Sequence, residues 1–401
     1  MLHSALELLK LKGKSLLPIV QGGMGVGVSA HRLAGTVASL GAFGTISSVD
    51  LRRHHPDLMI QTGRSRDKAL IDSANLVALD REVNAAKKMS RGNGVVAVNI
   101  MKAVAEYAAY VRQACESNAD AVVVGAGLPL DLPELTTNFP KVALVPILSD
   151  VRGIGVILKK WMRKNRLPDA IVIENPRYAA GHLGAPSADA VNNPNFAFPV
   201  VLDGTLQLLK DLGLERENIP LITGGGIHSH EQVVKLMGMG ANAVQLGTPF
   251  AVTEEGDAHP NFKKVLVEAR PEDIVTFMSV AGLPARAVRT PWLANYLEKE
   301  EKLQRMAKPK ACTVGFDCLA QCGLRDGISK HGQFCIDTQL AFALAGDIRR
   351  GLFFRGSEKL PFGSSIRSVR ELIEYLLTGI RPALAAVASP TVRSDQALVP
   401  A

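Results

Sequence analysis

A single histidine, His182, lies in the stretch RYAAGHLGAP, which runs from Arg177 to Pro186. Small residues surround it, and Gly181 comes directly before it. Such bare backbone leaves room for a flat molecule to lie against the chain. An imidazole has an unperturbed pKa of about 6.5, so it can exchange a proton at neutral pH. The stretch predicts a catalytic acid–base residue beside a planar ligand; the alternative is a loop histidine bonded to backbone.

A second stretch, LITGGGIHSHEQVVKLMGMGANAVQLGTPF (residues 221–250), suits an anion. A predicted strand ends at three glycines, and a helix with Ser229 as its expected N-cap follows. The next predicted strand ends at a Gly-Thr pair. Glycine backbone and a helix N-terminus both present N–H donors to a phosphate. The predicted phosphate-binding residues are Gly224, Gly225, Gly226, Gly247 and Thr248.

Two further strand ends offer ligand contacts. The loop QGGMGVG (residues 21–27) has bare backbone that can lie against a planar ring. Asn99 ends another predicted strand, where its amide can bond to a ring heteroatom or an exocyclic oxygen. A glycine turn without a ligand and an asparagine turn are the alternatives.

The elements that must position these residues are short, Val/Ile-rich apolar runs separated by helical patterns. Continuous apolar runs are typical of parallel strands buried on both faces. Because the alternation persists through eight units, the sequence predicts a closed (β/α)₈ barrel, with a doubly wound open sheet as the alternative. The runs are 17–23, 42–48, 94–100, 121–127, 142–149, 170–175, 219–226 and 241–250.

Three segments do not follow the alternation of short strands and helices that predicts the barrel. Insertions follow the second strand (49–93, with a long helix at 68–89) and the sixth strand (184–218, with a helix at 205–212). We therefore assign 15–262 to the barrel. Residues 263–380 are predicted to be a helical C-terminal region, including helices within 270–290 and 369–379. Residues 381–401, rich in Pro, Ala and Ser, are predicted to be a disordered tail.

Composition excludes several function classes. The 401 residues carry a net charge of +8, but apart from 158–166 the basic residues are scattered rather than grouped in a nucleic-acid-binding stripe. Aromatic residues are only 5%, too few for a base-stacking surface. No apolar run reaches the length of a membrane span, and the N-terminus lacks the pattern of a signal peptide. We expect a cytoplasmic protein that binds neither nucleic acid nor membrane; a homo-oligomer is left open.

Four of the five cysteines lie within residues 312–335. The spacing between the first three lacks the paired C-x₂-C of common zinc sites. An iron–sulfur site and a set of small buried thiols both fit the pattern. We predict no metal. The cysteines of this segment are Cys312, Cys318, Cys322 and Cys335.

Taken together, these stretches resemble the nitronate monooxygenase family, formerly called 2-nitropropane dioxygenases. The matching pieces are PIVQGGMG, the Asn of VAVNI, IENPRYAAGHLG, ITGGGI, AVQLGTPF and GLPARAVRT, within residues 15–290. The family's members are FMN-dependent barrels, and flavin-dependent enoyl-ACP reductases belong to the same superfamily. The cysteine-bearing C-terminal segment lies outside the pieces that carry the resemblance.

The resemblance implies FMN as cofactor and His182 as the catalytic base. It implies ring contacts from Gly22, Gly23, Met24 and Asn99, further flavin contacts from Glu174 and Gly181, and phosphate contacts from Gly225, Gln245, Gly247 and Thr248.

Three functions remain open at this stage. The first is oxidation of an alkyl nitronate with O₂ to a carbonyl compound and nitrite, the family's chemistry. The second is an FMN reductase that uses NAD(P)H on an enoyl thioester or a quinone. The third is a flavin-binding barrel without catalysis, because a fold alone does not fix a function.

Overall fold

A computed structural model describes residues 2 and 4–382 of the chain. The predicted disordered tail, 381–401, lies outside the described residues from 383 onward. The strands are β1 (Leu9–Leu11), β2 (Lys14–Leu16), β3 (Ile19–Gln21), β4 (Phe43–Ser47), β5 (Val95–Met101), β6 (Ala121–Gly125), β7 (Ala143–Leu148), β8 (Ile171–Glu174), β9 (Gly181–His182), β10 (Leu221–Gly224), β11 (Ala243–Leu246), β12 (Ile274–Met278) and β13 (Pro284–Val288).

The α-helices are α1 (His31–Ser39), α2 (Pro56–Thr62), α3 (Lys68–Ser90), α4 (Tyr107–Glu116), α5 (Leu132–Leu135), α6 (Val151–Met162), α7 (Phe198–Asp211), α8 (His230–Gly238), α9 (Thr248–Ala251), α10 (Pro260–Glu268), α11 (Pro291–Arg305), α12 (Gly323–Asp326), α13 (Ile336–Leu344) and α14 (Val369–Thr378). None of the helices within the described residues combines the length and hydrophobicity needed to span a lipid bilayer.

Eight parallel strands close into a barrel in the order β10-β11-β3-β4-β5-β6-β7-β8, which confirms the predicted (β/α)₈ fold. Inward side chains such as Val20, Phe43 and Val145 fill its interior. The antiparallel hairpin β1–β2 adds Leu9 and Leu16 to the same cluster, next to residues that begin the barrel strands. The hairpin therefore covers the N-terminal end of the barrel, and the C-terminal end is left for a site.

Both predicted insertions are present. In the first, α3 begins at Lys68 as predicted and ends at Ser90. In the second, α7 spans Phe198–Asp211 and is longer than the predicted helix at 205–212. The final helix, α14, packs Leu372 and Leu376 into the same core as the barrel helices, so the end of the described chain returns to the barrel.

The prediction of helices within residues 270–290 is wrong. This segment forms the antiparallel pair β12–β13, and β13 also pairs with β9. The physical reason lies in the residues themselves. Ile274–Met278 is rich in β-branched and aromatic residues, Gly282 turns the chain with a φ of +74°, and Pro284 is unsuited to a helix interior. The C-terminal region is thus a mixture of helices and this small sheet.

Candidate active site

A cavity of about 280 Å³ opens at the C-terminal end of the barrel. Its walls come from the ends of barrel strands, from the loop that carries β9, and from the C-terminal segment. It lies where (β/α)₈ barrels place their ligand sites, and its volume is close to the range of about 300–1,000 Å³ that is usual for small-molecule sites.

The cavity brings together nearly all the predicted site residues. Gly224 is the exception: it is the buried last residue of β10, paired in register with Gln245 of β11, and lies below the wall. The predicted residues that line the cavity are Gly22, Gly23, Met24, Asn99, Glu174, Gly181, His182, Gly225, Gly226, Gln245, Gly247 and Thr248.

Two glycines of the loop after β3 lie close to amide side chains of neighbouring strands. A Cβ on Gly23 would lie 2.3 Å from the Cβ of Asn99, and one on Gly22 would lie 3.3 Å from Cδ of Gln245. Asn99 is fixed because its amide Nδ2 donates to the carbonyl of Val123 at 3.2 Å. At Gly22 and Gly23 the cavity wall is therefore backbone, in close contact with the amide side chains of Gln245 and Asn99.

The glycine loop after β10 presents free donors. Gly225 and Gly226 have φ values of +107° and +76°, which favour glycine. Among the described residues, the N–H groups of Gly225, Gly226 and Gly247 have no hydrogen-bond acceptor. As predicted, Ser229 caps α8, accepting from the backbone N–H of Gln232 at 3.4 Å. Unused N–H donors beside a helix start suit a phosphate.

Two titratable groups on the cavity wall are shifted in opposite directions by one cause. Burial raises the pKa of Glu174 to about 7. Burial also lowers the pKa of His182 to about 4. Removal from water disfavours the charged form of each group. The imidazole is therefore neutral at pH 7 and able to accept a proton.

His182 is held by a strand from outside the barrel. In the register of β9 with β13, Gly181 faces Arg286 and His182 faces Ala285. The N–H of Leu183 donates to the carbonyl of Pro284 at 2.7 Å. The ring of Phe354 lies 6.1 Å from the imidazole, between centroids. Within the described residues, the buried Nε2 of His182 has no hydrogen-bond partner, so it is available to a ligand.

Arg286 fixes the loop that joins Glu174 to His182. Its side chain is buried, and Nη1 donates to the carbonyls of Pro176, at 3.2 Å, and Ala179, at 2.6 Å. Two bonds from one planar guanidinium to a single loop restrain its conformation. Sequence reasoning noted the segment that contains Arg286 but not this contact.

The C-terminal segment supplies a wall that the sequence analysis did not predict. It includes Leu319, Asp337, Leu352 and Phe354. No local pattern marks these residues, since they reach the cavity through pairing of distant segments, such as the bridge between Phe354 and Ala287.

The cysteines of 312–335 do not form a ligand set in the described part of the chain. Across residues 2 and 4–382, no group of three or more His, Cys, Asp or Glu side chains is arranged to hold a metal ion. Cys312 instead donates to the carbonyl of Phe316 at 3.1 Å, and Cys335 accepts from the hydroxyl of Thr338 at 3.1 Å.

Comparison with known proteins gives a consistent family. The nitronate monooxygenase family model matches residues 8–379, well beyond the pieces that carry the sequence resemblance. A probable nitronate monooxygenase of Staphylococcus saprophyticus is 24% identical over 295 residues, which are 71% of this chain and 79% of that protein. A probable nitronate monooxygenase of Bacillus subtilis is 25% identical over 300 residues, 73% of this chain and 81% of that protein.

Solved structures share the fold. FabK from Thermotoga maritima aligns with a TM-score of 0.58 at 22% identity, covering 90% of this chain and 91% of that chain. A nitroalkane oxidase from Streptomyces ansochromogenes aligns with a TM-score of 0.61 at 17% identity, covering 90% of this chain and 94% of that chain.

Burial of His182 predicts a dependence of stability on pH. The pKa is about 4 in the folded chain against 6.5 for the free group, so the unfolded chain binds more protons between these values. The free energy of unfolding should therefore fall as pH drops from 6.5 to 4 and change no further from this group below 4. In His182→Gln, the fall in the free energy of unfolding over this pH interval should be smaller by about 1–3 kcal/mol. This is less than the full pKa shift would give, because water in the cavity partly solvates the imidazole.

The measurement is urea unfolding of ligand-free wild type and His182→Gln across this pH interval. Other titrating groups are shared by the two proteins and cancel in the difference. A constant difference between the two curves would contradict the assignment of a depressed pKa to His182.

Proposed function

Because this chain belongs to the nitronate monooxygenase family, we propose that it is an FMN-dependent oxidoreductase that oxidises alkyl nitronates with O₂ to carbonyl compounds and nitrite. One observation carries the proposal: the neutral imidazole of His182 lines the same cavity as the glycine loops after β3, β10 and β11. A proton acceptor and an anion-binding rim are thus placed around one ligand space.

The residues of the cavity fit a flavin mononucleotide. The free N–H groups of Gly225, Gly226 and Gly247 would hold its phosphate, and the flat backbone of Gly22 and Gly23 would lie against its ring. Glu174, Asn99, Gln245 and Thr248 supply polar groups for the remaining heteroatoms. Bound there, FMN would supply the electron transfer between the organic substrate and O₂.

His182 can act in two ways, according to the form of the substrate. With a neutral nitroalkane, the imidazole accepts the proton from the carbon that bears the nitro group, leaving the nitronate and an imidazolium. The two opposite charges then stabilise each other more strongly than they would in bulk water, because the imidazole is buried. With a preformed nitronate, no proton needs to leave carbon, and a ring N–H of His182 donates to the nitronate to orient it.

Loss of the imidazole should separate these two roles. We expect His182→Asn to lower kcat/KM by about 10²–10⁴-fold with a neutral nitroalkane, the usual contribution of a positioned base. The loss should be smaller with the preformed nitronate, and bound FMN should be retained. His259→Asn is the matched control, because His259 is an exposed helix N-cap whose capping role asparagine can fill.

The rate is measured by mixing flavin-loaded protein with each substrate without oxygen and following loss of the visible flavin band. Rapid loss of the band with a nitronate, and slow loss with NADH or NADPH, supports the proposed oxidation. The reverse result would instead assign the chain to the NAD(P)H-dependent reductases. No reduction by any of these compounds would favour a flavin-binding protein without catalysis.

Gly23 gives a test of the cofactor site. In Gly23→Ala the added Cβ meets Asn99 at 2.3 Å, so the loop or Asn99 must move. We expect FMN affinity to fall by at least about tenfold, since a shift of that size disrupts packing against a planar ligand. In the control, Gly238→Ala, the added Cβ meets nothing within 4 Å, so affinity should not change. Fluorescence titration with FMN measures both; equal affinities would contradict the ring position.

The raised pKa of Glu174 predicts that cofactor affinity depends on pH. If its carboxylate accepts from flavin hydroxyl groups, binding requires loss of the proton that it carries below its pKa of about 7. Affinity for riboflavin, which lacks the titrating phosphate, should then increase by about tenfold from pH 6 to pH 8. In Glu174→Gln this increase should vanish, and its persistence in the variant would exclude Glu174 as the acceptor.

A further inference from the structure

The C-terminal wall of the cavity differs in chemistry from the glycine rim. We define it by Leu319, Ile336, Asp337, Leu340, Leu352 and Phe354, all of which line the cavity. Five of these residues are apolar and belong to, or pack against, one hydrophobic cluster. Because that cluster is closely packed, the wall presents a fixed apolar surface to any ligand.

This wall is continuous with the proposed reaction site. Phe354 stands 6.1 Å from His182, between ring centroids, and a Cβ on Gly181 would touch the phenyl ring at 3.5 Å. Leu352, two residues before Phe354, belongs to the same hydrophobic cluster as Ile336. A substrate whose reacting carbon is beside His182 therefore extends along apolar side chains toward Asp337.

Asp337 interrupts the apolar surface with an acid. Its side chain is 1% exposed, and Oδ2 accepts from Nη2 of Arg53 at 2.7 Å. Oδ1 is buried and has no hydrogen-bond partner among the described residues. Burial, and then the charge of Asp50, raise the pKa of Asp337 to about 7. A buried acceptor without a partner is costly, so a ligand that donates to it gains more than one that does not.

The positively charged side chains near Asp337 are paired with carboxylates of the protein. Arg53 also pairs with Asp50, and Arg52 donates to Asp50 at 2.7 Å. The two guanidinium groups thus balance two carboxylates, so among the described residues this cluster carries no surplus positive charge. Among the described residues that line the cavity, Lys359 is the Lys or Arg residue. It follows Gly356 by three positions, and the N–H of Gly356 donates to the hydroxyl of Thr248, at the predicted phosphate end of the cavity.

We propose that the C-terminal wall is the specificity subsite for the substrate of the reaction proposed above, on which this inference rests. It accepts a chain that carries no negative charge and is attached to the reacting carbon. Asp337 favours a hydroxyl, amide or ammonium donor on that chain and rejects a carboxylate. The substrate class is therefore a nitronate with an apolar or hydrogen-bond-donating chain, not one that bears a second anion.

Three nitronates of similar length test this selection at pH 8, where Asp337 is mostly ionised. They derive from 1-nitrobutane, 3-nitropropan-1-ol and 3-nitropropionate. We expect kcat/KM for the 3-nitropropionate nitronate to be at least about 30-fold below that for the 1-nitrobutane nitronate, because like charges would meet in a buried site. The alcohol should equal or exceed 1-nitrobutane. Comparable values for the anionic and apolar compounds would overturn the proposal.

Asp337→Asn removes the charge and keeps the shape. This variant should reduce the ratio of kcat/KM for the 1-nitrobutane nitronate to kcat/KM for the 3-nitropropionate nitronate by about tenfold. Should this variant fail to fold, Leu340→Lys adds a cation to the same wall and should favour the 3-nitropropionate compound. Ile60→Lys, at a position 85% exposed on α2, adds the same charge outside the cavity and is its control. If the ratio of the two kcat/KM values is unchanged in a folded variant, the C-terminal wall does not select the substrate.

Binding without turnover separates this inference from the proposed reaction. Calorimetric titration of the protein with hexan-1-ol and hexanoate should show preference for the alcohol in wild type and a reduced preference in Asp337→Asn. If this pattern holds while no nitronate is oxidised, the subsite stands and the reaction fails. If nitronates are oxidised with no discrimination between chains, the reaction stands and the subsite fails.

Discussion

The candidate active site depends on one strand pairing outside the barrel, that of Gly181–His182 with Ala285–Arg286. Barrel strands end at the cavity but do not extend over it, so the residue beside the ligand must come from a loop. A long loop alone would leave an imidazole free to adopt many positions. Here two backbone segments and a buried guanidinium restrain the loop, which limits the positions that the imidazole can adopt.

A single physical condition, exclusion of water, sets the charges of the site. Burial makes His182 a weaker base and Glu174 a weaker acid than usual, so near pH 7 without a ligand the imidazole is neutral and the carboxyl group is about half protonated. Besides the charged residues Asp337, Glu358 and Lys359, which also line the cavity, an anionic ligand would bring negative charges of its own. Free glycine N–H groups, which carry no net charge and need no protonation, are well suited to meet them.

The barrel could be predicted because each strand is defined by its own residues. A run such as Val95–Val98 is apolar and buried throughout, as burial on both faces requires, and glycine loops mark where strands end. The hairpin β12–β13 has local signals in its β-branched residues and its glycine turn, but its pairing with β9 could not be predicted, because β9 and β13 lie about a hundred residues apart in the sequence. The same holds for Asp337: its place on the cavity wall follows from its pairing with Arg53, which no local pattern encodes.

The bridge between Phe354 and Ala287 joins the cavity to a segment that is synthesised late. The ribosome delivers all eight barrel strands by residue 246, yet the ring that packs beside His182 is more than a hundred residues from being made. When the last barrel strand has been synthesised, one side of the cavity is therefore still missing. The C-terminal wall of the cavity is thus synthesised after the strands of the barrel, together with the segment that leads to α14.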